Sequence, residues 1–172
     1  LKIINLKLKI MSVTTRMGDD GKSRFGGRVV EKDSLLLETM GSMDELVALL
    51  GIAIMKNGPE MSKKIERIIA KLRQIMGLIS GCGPKEIGLL SEIKYMEGEI
   101  KKMDNRAEAI HEFLEAGSRL DEFLNWCRTV ARKCERRVVA LSKTEKIDSN
   151  VLIYFNRLSD YLFMIARKGE RE

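Results

Sequence analysis

The sequence predicts an all-α protein, an up-and-down bundle of five helices that follows a glycine-rich N-terminal loop. Three observations support this class: apolar residues recur at helical spacing, only 2 prolines occur among 172 residues, and 44% of the residues are hydrophobic. This apolar share is enough to form a buried core, and the scarcity of turn residues argues against a β-sandwich or barrel. The length predicts a single domain over residues 1–172.

The segment before the helices follows no helical pattern. We expect residues 1–11 to be an extension and residues 12–34 to be either a long ordered loop or a disordered arm, because glycines interrupt it at four positions. Lysines among the first apolar residues argue against a signal peptide. No uncharged apolar run approaches the roughly 18 residues that span a bilayer, so we expect a cytoplasmic protein without membrane contact.

Helical periodicity begins at Leu35 and divides into five segments, each bounded by capping or helix-breaking residues. In chain order, the predicted helices run from Leu35 to Gly58-Pro59, from Ser62 to Gly81, from Leu89 to Met103, from Ser118 to about Ser142, and onward from Asp148-Ser149. Residues 105–117 are predicted to connect the third helix to the fourth.

The charge and the sulfur-containing residues limit the possible functions. A net charge of +6 suits nucleic acid, anionic lipid or phosphorylated small molecules, and selects none of them. Cys82, Cys127 and Cys134 lack CxxC spacing, so we interpret them as reduced thiols in the core of a cytosolic protein. The single His111 has no neighbouring ligand in the sequence, which argues against zinc.

The glycine-rich segment superficially resembles a P-loop. Gly21-Lys22-Ser23 fits the end of GxxxxGK[ST], but the first glycine would have to occupy the position of Arg16. We therefore reject a Walker motif. Two interpretations remain: a turn whose N–H groups bind an anion, or a flexible basic arm. The basic residues of the segment are Arg16, Lys22, Arg24, Arg28 and Lys32.

Two polar patterns occur on otherwise apolar helices. Arg128, Arg132 and Arg136 recur every fourth residue, so they form either a solvated helix face or a clamp for a polyphosphate. On the last helix, Asn156 and Asp160 share a face and form either an inter-helix hydrogen-bond network or a ligand site. Asp44-Glu45 on the first helix offers counter-charges for the arginines. No Ser-His-Asp arrangement is evident, so an enzyme of this sequence would act by positioning and charge neutralisation.

Several motifs occur together in the same chain. Residues 15–23 (TRMGDDGKS) look like the pattern TKTGDKGxT, residues 26–33 (GGRVVEKD) look like GGRVxKD, and Gly41 through Gly51 matches GxxDELxxxxG. ARxxxRRAERR matches residues 126–137 approximately, and NRLSDYLFxxAR matches Asn156 to Arg167 almost completely. The chain thereby resembles the PduO-type ATP:cob(I)alamin adenosyltransferases, also called corrinoid adenosyltransferases.

This resemblance implies a trimeric five-helix bundle with active sites between neighbouring subunits. It implies transfer of the 5′-deoxyadenosyl group of ATP to cob(I)alamin or a related corrinoid, with adenosylcobalamin and tripolyphosphate as products. Mg²⁺ would accompany the phosphates, a corrinoid reductase would be a further partner, and no nucleic acid would bind. Cobalt(I) would be the nucleophile, which agrees with the absence of a protein nucleophile.

The resemblance also assigns roles to individual residues. The residues expected to bind ATP are Thr15, Arg16, Gly18, Asp19, Gly21, Ser23, Lys32, Arg132, Glu135, Arg136 and Asn156, of which Lys32, Arg132 and Asn156 would be catalytic. Glu135 would orient the arginines, Asn156 would contact a phosphate and its Mg²⁺, and Asp44 would pair with Arg128 across the subunit boundary. Phe113 would lie beneath the corrin and displace its lower axial ligand.

The chain departs from the family pattern in three places. Asp20 replaces a lysine beside the triphosphate, Arg16 replaces another lysine with the same charge, and the segment around Phe113 lacks the proline of FILPGG. A noncatalytic trimeric module that binds nucleotide for regulation is therefore the alternative hypothesis. A nucleic-acid binder fits less well, because only 5% of the residues are aromatic and could stack on bases.

Overall fold

A computed structural model describes residues 18–104 and 121–168. These residues form a two-stranded antiparallel hairpin followed by five α-helices. The elements are β1 (Lys22–Phe25), β2 (Arg28–Glu31), α1 (Leu35–Lys56), α2 (Pro59–Ser80), α3 (Leu89–Asp104), α4 (Glu122–Leu141) and α5 (Ser149–Lys168). The five predicted helices and the all-α class are thus confirmed.

The helices lie in the spatial order α2, α1, α4, α5, α3, and these neighbours are antiparallel except α5 and α3, which run in the same direction. The paired residues show the direction: along α1, Glu38 and Glu45 meet Arg137 and Lys133 of α4 in reverse order. Side chains of α2 reach α3 and close the bundle, as when Arg67 bonds Glu92. Up-and-down packing therefore follows from the succession of amphipathic helices along the chain.

The core consists mainly of the apolar positions that the periodicity indicates. Met43, Leu46 and Leu50 of α1 are fully buried together with Phe155 and Leu158 of α5. Cys127 and Cys134 are also buried, and desolvation raises the pKa of Cys127 to about 12 and that of Cys134 to about 11. These two cysteines are core thiols as predicted. The prediction is wrong for Cys82, which is exposed in the turn after α2.

Two helix starts differ from the predictions. α2 begins at Pro59 with Gly58 as its N-cap, because proline at the first helical position loses no hydrogen bond. The hydroxyl of Ser62 instead donates to the carbonyl oxygens of Ile54 and Asn57 at the end of α1, both at 3.2 Å. The start of α4 is also later than predicted.

Asp121 is the N-cap of α4 in place of the predicted Ser118, which lies outside the described residues. The carboxylate of Asp121 accepts N–H groups from Phe123 and Leu124 at 2.9 and 3.0 Å. Asp148 precedes α5 as predicted and accepts the N–H of Asn150 at 2.9 Å. Carboxylates at these positions satisfy amide groups that have no partner within the helix.

The glycine-rich segment contains regular structure that we did not predict. Residues 22–25 and 28–31 pair in register, and Gly26-Gly27 forms the two-residue turn between them with φ of 56° and 77°. Two glycines with positive φ suit a type I′ hairpin turn. The expectation of a loop or disordered arm is therefore corrected for residues 22–31. Among the described residues, no helix is long and apolar enough to cross a membrane.

Candidate active site

The base of the hairpin forms a closed turn that carries exposed basic side chains. The ammonium of Lys32 donates to the carbonyl oxygen of Gly18 at 2.5 Å, and the Lys32 N–H donates to Gly21 at 2.9 Å. Gly21 has a φ of 81°, which favours glycine. Asp20 accepts the N–H of Lys22 at 3.1 Å. The turn thus brings the predicted phosphate-binding residues Gly18, Asp19, Gly21 and Lys32 together, with Ser23 on the adjoining strand.

The hairpin is attached to the end of the bundle where α4 terminates. Phe25 and Val30 pack against a small buried cluster of Leu36, Met40 and Leu141. Arg28 also pairs with Glu145, in the loop after α4, at 3.2 Å. Leu141 lies five residues beyond Arg136, about 7.5 Å along the helix axis. The basic turn and the arginine row therefore lie toward the same end of α4.

The cations of α4 divide into two groups. Lys133 pairs with Glu45, and Arg137 pairs with Glu38 at 3.2 Å, so both lie against α1. Arg132 and Arg136 are exposed and, within the described parts of the chain, have no ion-pair partner. The expected pairing of α1 with α4 thus exists, but Lys133 and Arg137 form it. Successive residues of an α-helix are rotated by about 100°, so Arg132 and Arg136 lie on a different face of α4 from Lys133 and Arg137.

Arg128 lies deeper than the other two arginines of the row. Its Nε donates to Asn125 at 2.8 Å, and its guanidinium carbon lies 6.0 Å from the Phe163 ring centroid. Asp44, its predicted partner in a neighbouring subunit, is exposed on α1. Within the described residues of one chain the two side chains are not joined. A contact between them would require a second chain.

Asn156 and Asp160 lie on the exposed side of α5 and bond to charged neighbours. The Asn156 amide donates to Glu135 of α4 at 3.1 Å. Arg157 donates to Asp160 at 2.9 Å and to Glu97 of α3 at 3.1 Å. Glu135 is thus joined to Asn156, whereas we expected it to orient the arginines. The inter-helix hydrogen-bond network predicted for this face of α5 is present at the exposed edge of the face.

An open cleft of about 380 Å³ lies between α3, α4 and α5. Arg128 and Arg132 contribute positive charge to it, Asp160 contributes one negative charge, and Ile100, Phe163 and Met164 form an apolar wall. The cleft is lined by Ile100, Arg128, Arg132, Ser159, Asp160, Phe163 and Met164. This composition suits a ligand with an anionic part and a large apolar part.

Phe163 lines the cleft but was not predicted to be a site residue. Its spacing carries a usable signal, because positions 156, 160 and 163 recur at the interval of one helix face. Phe163 is partly buried. The guanidinium carbons of Arg128 and Arg167 lie 6.0 and 5.8 Å from the centroid of its ring. Thr15, Arg16 and Phe113 lie outside the described residues.

The described residues contain no group of three or more histidine, cysteine or acidic residues that could hold a metal ion. Glu135 and Asn156 supply only two neighbouring oxygen donors. This donor set suits Mg²⁺ that is carried mainly by phosphate oxygens, as is common for this ion.

Comparisons with known proteins identify the family. The family model described as cobalamin adenosyltransferase matches residues 13–169. The corrinoid adenosyltransferase of Bacillus subtilis is 35% identical over 167 residues, which cover 91% of this chain and 86% of that protein. Corrinoid adenosyltransferase MMAB of Homo sapiens is 30% identical, with coverages of 92% and 69%.

Solved structures agree with this assignment. A variant of a PduO-type ATP:corrinoid adenosyltransferase from Lactobacillus reuteri, complexed with cobalamin and ATP, has a TM-score of 0.83. It is 26% identical and covers 92% of this chain and 90% of its own. Another variant from the same organism, complexed with ATP, has a TM-score of 0.82 at 27% identity, with coverages of 92% and 94%. The chain therefore belongs to the cobalamin adenosyltransferase family, whose members transfer an adenosyl group from ATP to a corrinoid.

Proposed function

We propose that this corrinoid adenosyltransferase binds the triphosphate of ATP between the hairpin base and the arginine row of α4. The observation that carries this proposal is the division of the α4 cations. Lys133 and Arg137 are neutralised by α1, whereas Arg132 and Arg136 have no carboxylate partner among the described residues. Like charges on adjacent helical turns repel one another, so an anionic ligand would stabilise the row.

Each part of the site has a separate task in phosphate binding. The turn with Gly18, Gly21 and Lys32, together with Thr15, Arg16 and Ser23 of the same segment, supplies N–H groups and positive charge to the phosphates. The planar guanidinium groups of Arg132 and Arg136 grip oxygens in pairs. Asn156 and Glu135, which are hydrogen-bonded to each other at 3.1 Å, would act as ligands of Mg²⁺. When bound, that ion would neutralise part of the phosphate charge.

The reaction requires no nucleophile from the protein. The electron pair of cobalt(I) attacks C5′ of ATP, a Co–C bond forms, and the C5′–O bond breaks with release of tripolyphosphate. The chain must therefore align C5′ with cobalt and stabilise the negative charge that develops on the leaving group. Arg132 and Lys32 would serve the second need, because the leaving group is the triphosphate itself.

The corrinoid is proposed to approach the apolar wall of the cleft. Phe163, Met164 and Ile100 form this wall beside Arg128 and Arg132. Phe113 would lie beneath the corrin and displace its lower ligand, which would make reduction of Co(II) to Co(I) easier. Phe113→Ala should then leave ATP binding intact and slow adenosylation of cob(II)alamin supplied with a reductant. Equal rates in the variant and the wild type would contradict this role.

We further propose a homotrimer in which α1 of one subunit faces the site of the next. Asp44, Ala48, Ile52 and Met55 form an exposed row along α1, and Met55 is 84% exposed. Asp44 has no ion-pair partner within the described residues, and Arg128 bonds only to a neutral amide. An exposed apolar row with a charge at one end suits contact with a complementary surface.

The proposed reaction can be tested directly. Purified protein is mixed with Mg-ATP and chemically reduced cob(I)alamin under anaerobic, light-protected conditions, and the corrinoid spectrum and tripolyphosphate release are followed. We expect both products to form in equal amounts. ATP binding without either product would favour the noncatalytic nucleotide-binding module. Binding to DNA at high salt without a response to ATP would contradict both.

A further inference from the structure

The turn of the hairpin makes a backbone contact with the end of α2 that only glycine permits. A Cβ atom built on Gly26 would overlap the carbonyl oxygen of Ser80 and lie 3.1 Å from its carbonyl carbon. Both atoms belong to the backbone, so no side-chain rotation can relieve the overlap. The adjacent Gly27 has a similar positive φ, but a Cβ atom there would meet nothing within 4 Å.

The end of α2 is itself held rigidly. Gly81 ends the helix in the left-handed conformation, and the N–H groups of Cys82 and Gly83 bond the carbonyl oxygen of Gly77 at 3.1 and 2.8 Å. Gly83 lies so close to Gly77 that a Cβ atom on it would come within 2.7 Å of the Gly77 backbone. The Ser80 carbonyl therefore occupies a fixed position against which the hairpin turn rests.

The same hairpin connects this contact to the basic turn at its base. Four residue pairs run from Phe25↔Arg28 at the turn to Lys22↔Glu31 at the base, about 10 Å away. Directly beyond the base, Lys32 bonds both Gly18 and Gly21. A short, paired hairpin moves largely as a unit. If its Gly26 end is displaced from Ser80, the turn at its base, which carries Gly18, Gly21 and Lys32, will also tilt.

We propose that the contact of Gly26 with Ser80 positions the phosphate-binding turn, which makes Gly26 a positioning residue for ATP. This inference rests on the proposed binding of phosphate by Gly18, Asp19, Gly21, Ser23 and Lys32. In this proposal Gly26 is not itself a ligand of either substrate. It acts by allowing the hairpin to lie close to α2. In this position Phe25 and Val30 reach the cluster of Leu36, Met40 and Leu141, and Arg28 reaches Glu145.

The test compares Gly26→Ala with Gly27→Ala. Both variants place alanine at a positive φ and incur the same kind of backbone cost, but only Gly26→Ala also collides with α2. We expect Gly26→Ala to raise the KM for ATP at least fivefold more than Gly27→Ala does, with the KM for the corrinoid changed less than twofold in both. Circular dichroism and thermal unfolding should show an intact bundle in both variants.

Binding of Mg-ATP to the wild type is measured first by calorimetry. Absence of binding would contradict the proposed function, whereas wild-type binding with equal KM values for ATP in the two glycine variants would overturn only the role of Gly26. If Gly26→Ala does not fold, Glu145→Ala removes the partner of Arg28 without adding an atom near α2. It should raise the KM for ATP about twofold and leave that for the corrinoid unchanged; no change in either would overturn the proposal.

Discussion

Two faces of the bundle carry arginines, and these arginines differ in whether they pair with carboxylates. On the α2–α3 face, Arg67 donates to both carboxylate oxygens of Glu92 at 2.8 and 3.0 Å, and its guanidinium lies 3.6 Å from the Tyr95 ring centroid. On the α4–α5 face, Arg132 and Arg136 have no carboxylate partner among the described residues. A matched arginine stabilises the fold, whereas an unmatched row is free to bind an anion.

The difference also appears in the electrostatics. The hydrogen bond to Glu92 raises the pKa of Arg67 above its usual range and outweighs the desolvation that lowers it. Glu92 is buried, with 6% of its surface exposed, and Arg67 is its ion-pair partner. The four predictions that follow test whether one face is structural and the other functional.

The largest effect is expected at Arg132. Arg132→Ala should lower kcat/KM for ATP by about 10²-fold or more, because it removes a guanidinium that we propose stabilises the leaving group. Arg132→Lys should recover little of this loss, since lysine keeps the charge but lacks the planar pair of donors. Arg137→Ala is the matched control on the same helix, because Arg137 is paired with Glu38. Steady-state kinetics with equal losses in Arg132→Ala and Arg137→Ala would contradict the division of the α4 cations.

The converse is expected on the α2–α3 face. Arg67→Ala should lower the free energy of unfolding by about 1–3 kcal/mol, because it leaves the buried Glu92 carboxylate without its donor. Adenosylation at 25 °C should stay near the wild-type rate. Arg73→Ala, an exposed arginine on the same helix, is the control and should change stability little. Urea unfolding measures the difference; a large loss of activity in folded Arg67→Ala would remove the structural interpretation of this face.

A smaller effect is expected for Asp44, the proposed intersubunit partner of Arg128. Asp44→Asn should weaken self-association about fivefold, equivalent to about 1 kcal/mol for a partly exposed ion pair. Glu45→Gln is the matched control, because Glu45 pairs with Lys133 within one chain. Sedimentation over a dilution series reports the association. A monomeric wild type, or equal behaviour of the two variants, would rule out the pairing.

The smallest effect is expected for the pH dependence of stability on the α2–α3 face, where Glu99 pairs with Lys64 and Lys102. Hydrogen bonds from Lys102 and then Lys64 lower the pKa of Glu99 below its usual 4.5. The folded-state pKa is therefore below the unfolded one, so the stabilisation is present above about pH 4.5 and is lost as the pH falls through the folded value. Glu99→Gln should lose less than about 1 kcal/mol relative to the wild type at pH 7.

This difference for Glu99→Gln should shrink below pH 4.5 in urea titrations at several pH values. Glu66→Gln, an exposed neighbour on α2, should show no such convergence. A difference for Glu99→Gln that stays constant down to pH 3 would contradict the assigned direction of the pKa change.

The sequence by itself determined the helices, because their apolar spacing and end signals are local. α1 begins at Leu35 after the N-cap Ser34, and α2 ends before Gly81 in the left-handed conformation. It also placed Arg128, Arg132 and Arg136 on one face and, through the combined motifs, identified the reaction. The start of α2 was missed because Gly58-Pro59 ends one helix and begins the next with hardly a break.

Only the tertiary structure decided which charges are matched. Lys133 and Arg137 look no different from Arg132 and Arg136 in the sequence, and their pairing with α1 depends on how two helices pack. The hairpin was missed for a related reason: its strands have only four residues each, and they are stabilised by contacts with Leu141 and Ser80, which lie far along the chain. Local patterns fix helices because their hydrogen bonds are local, whereas a site made by several elements depends on contacts that close over long stretches of sequence.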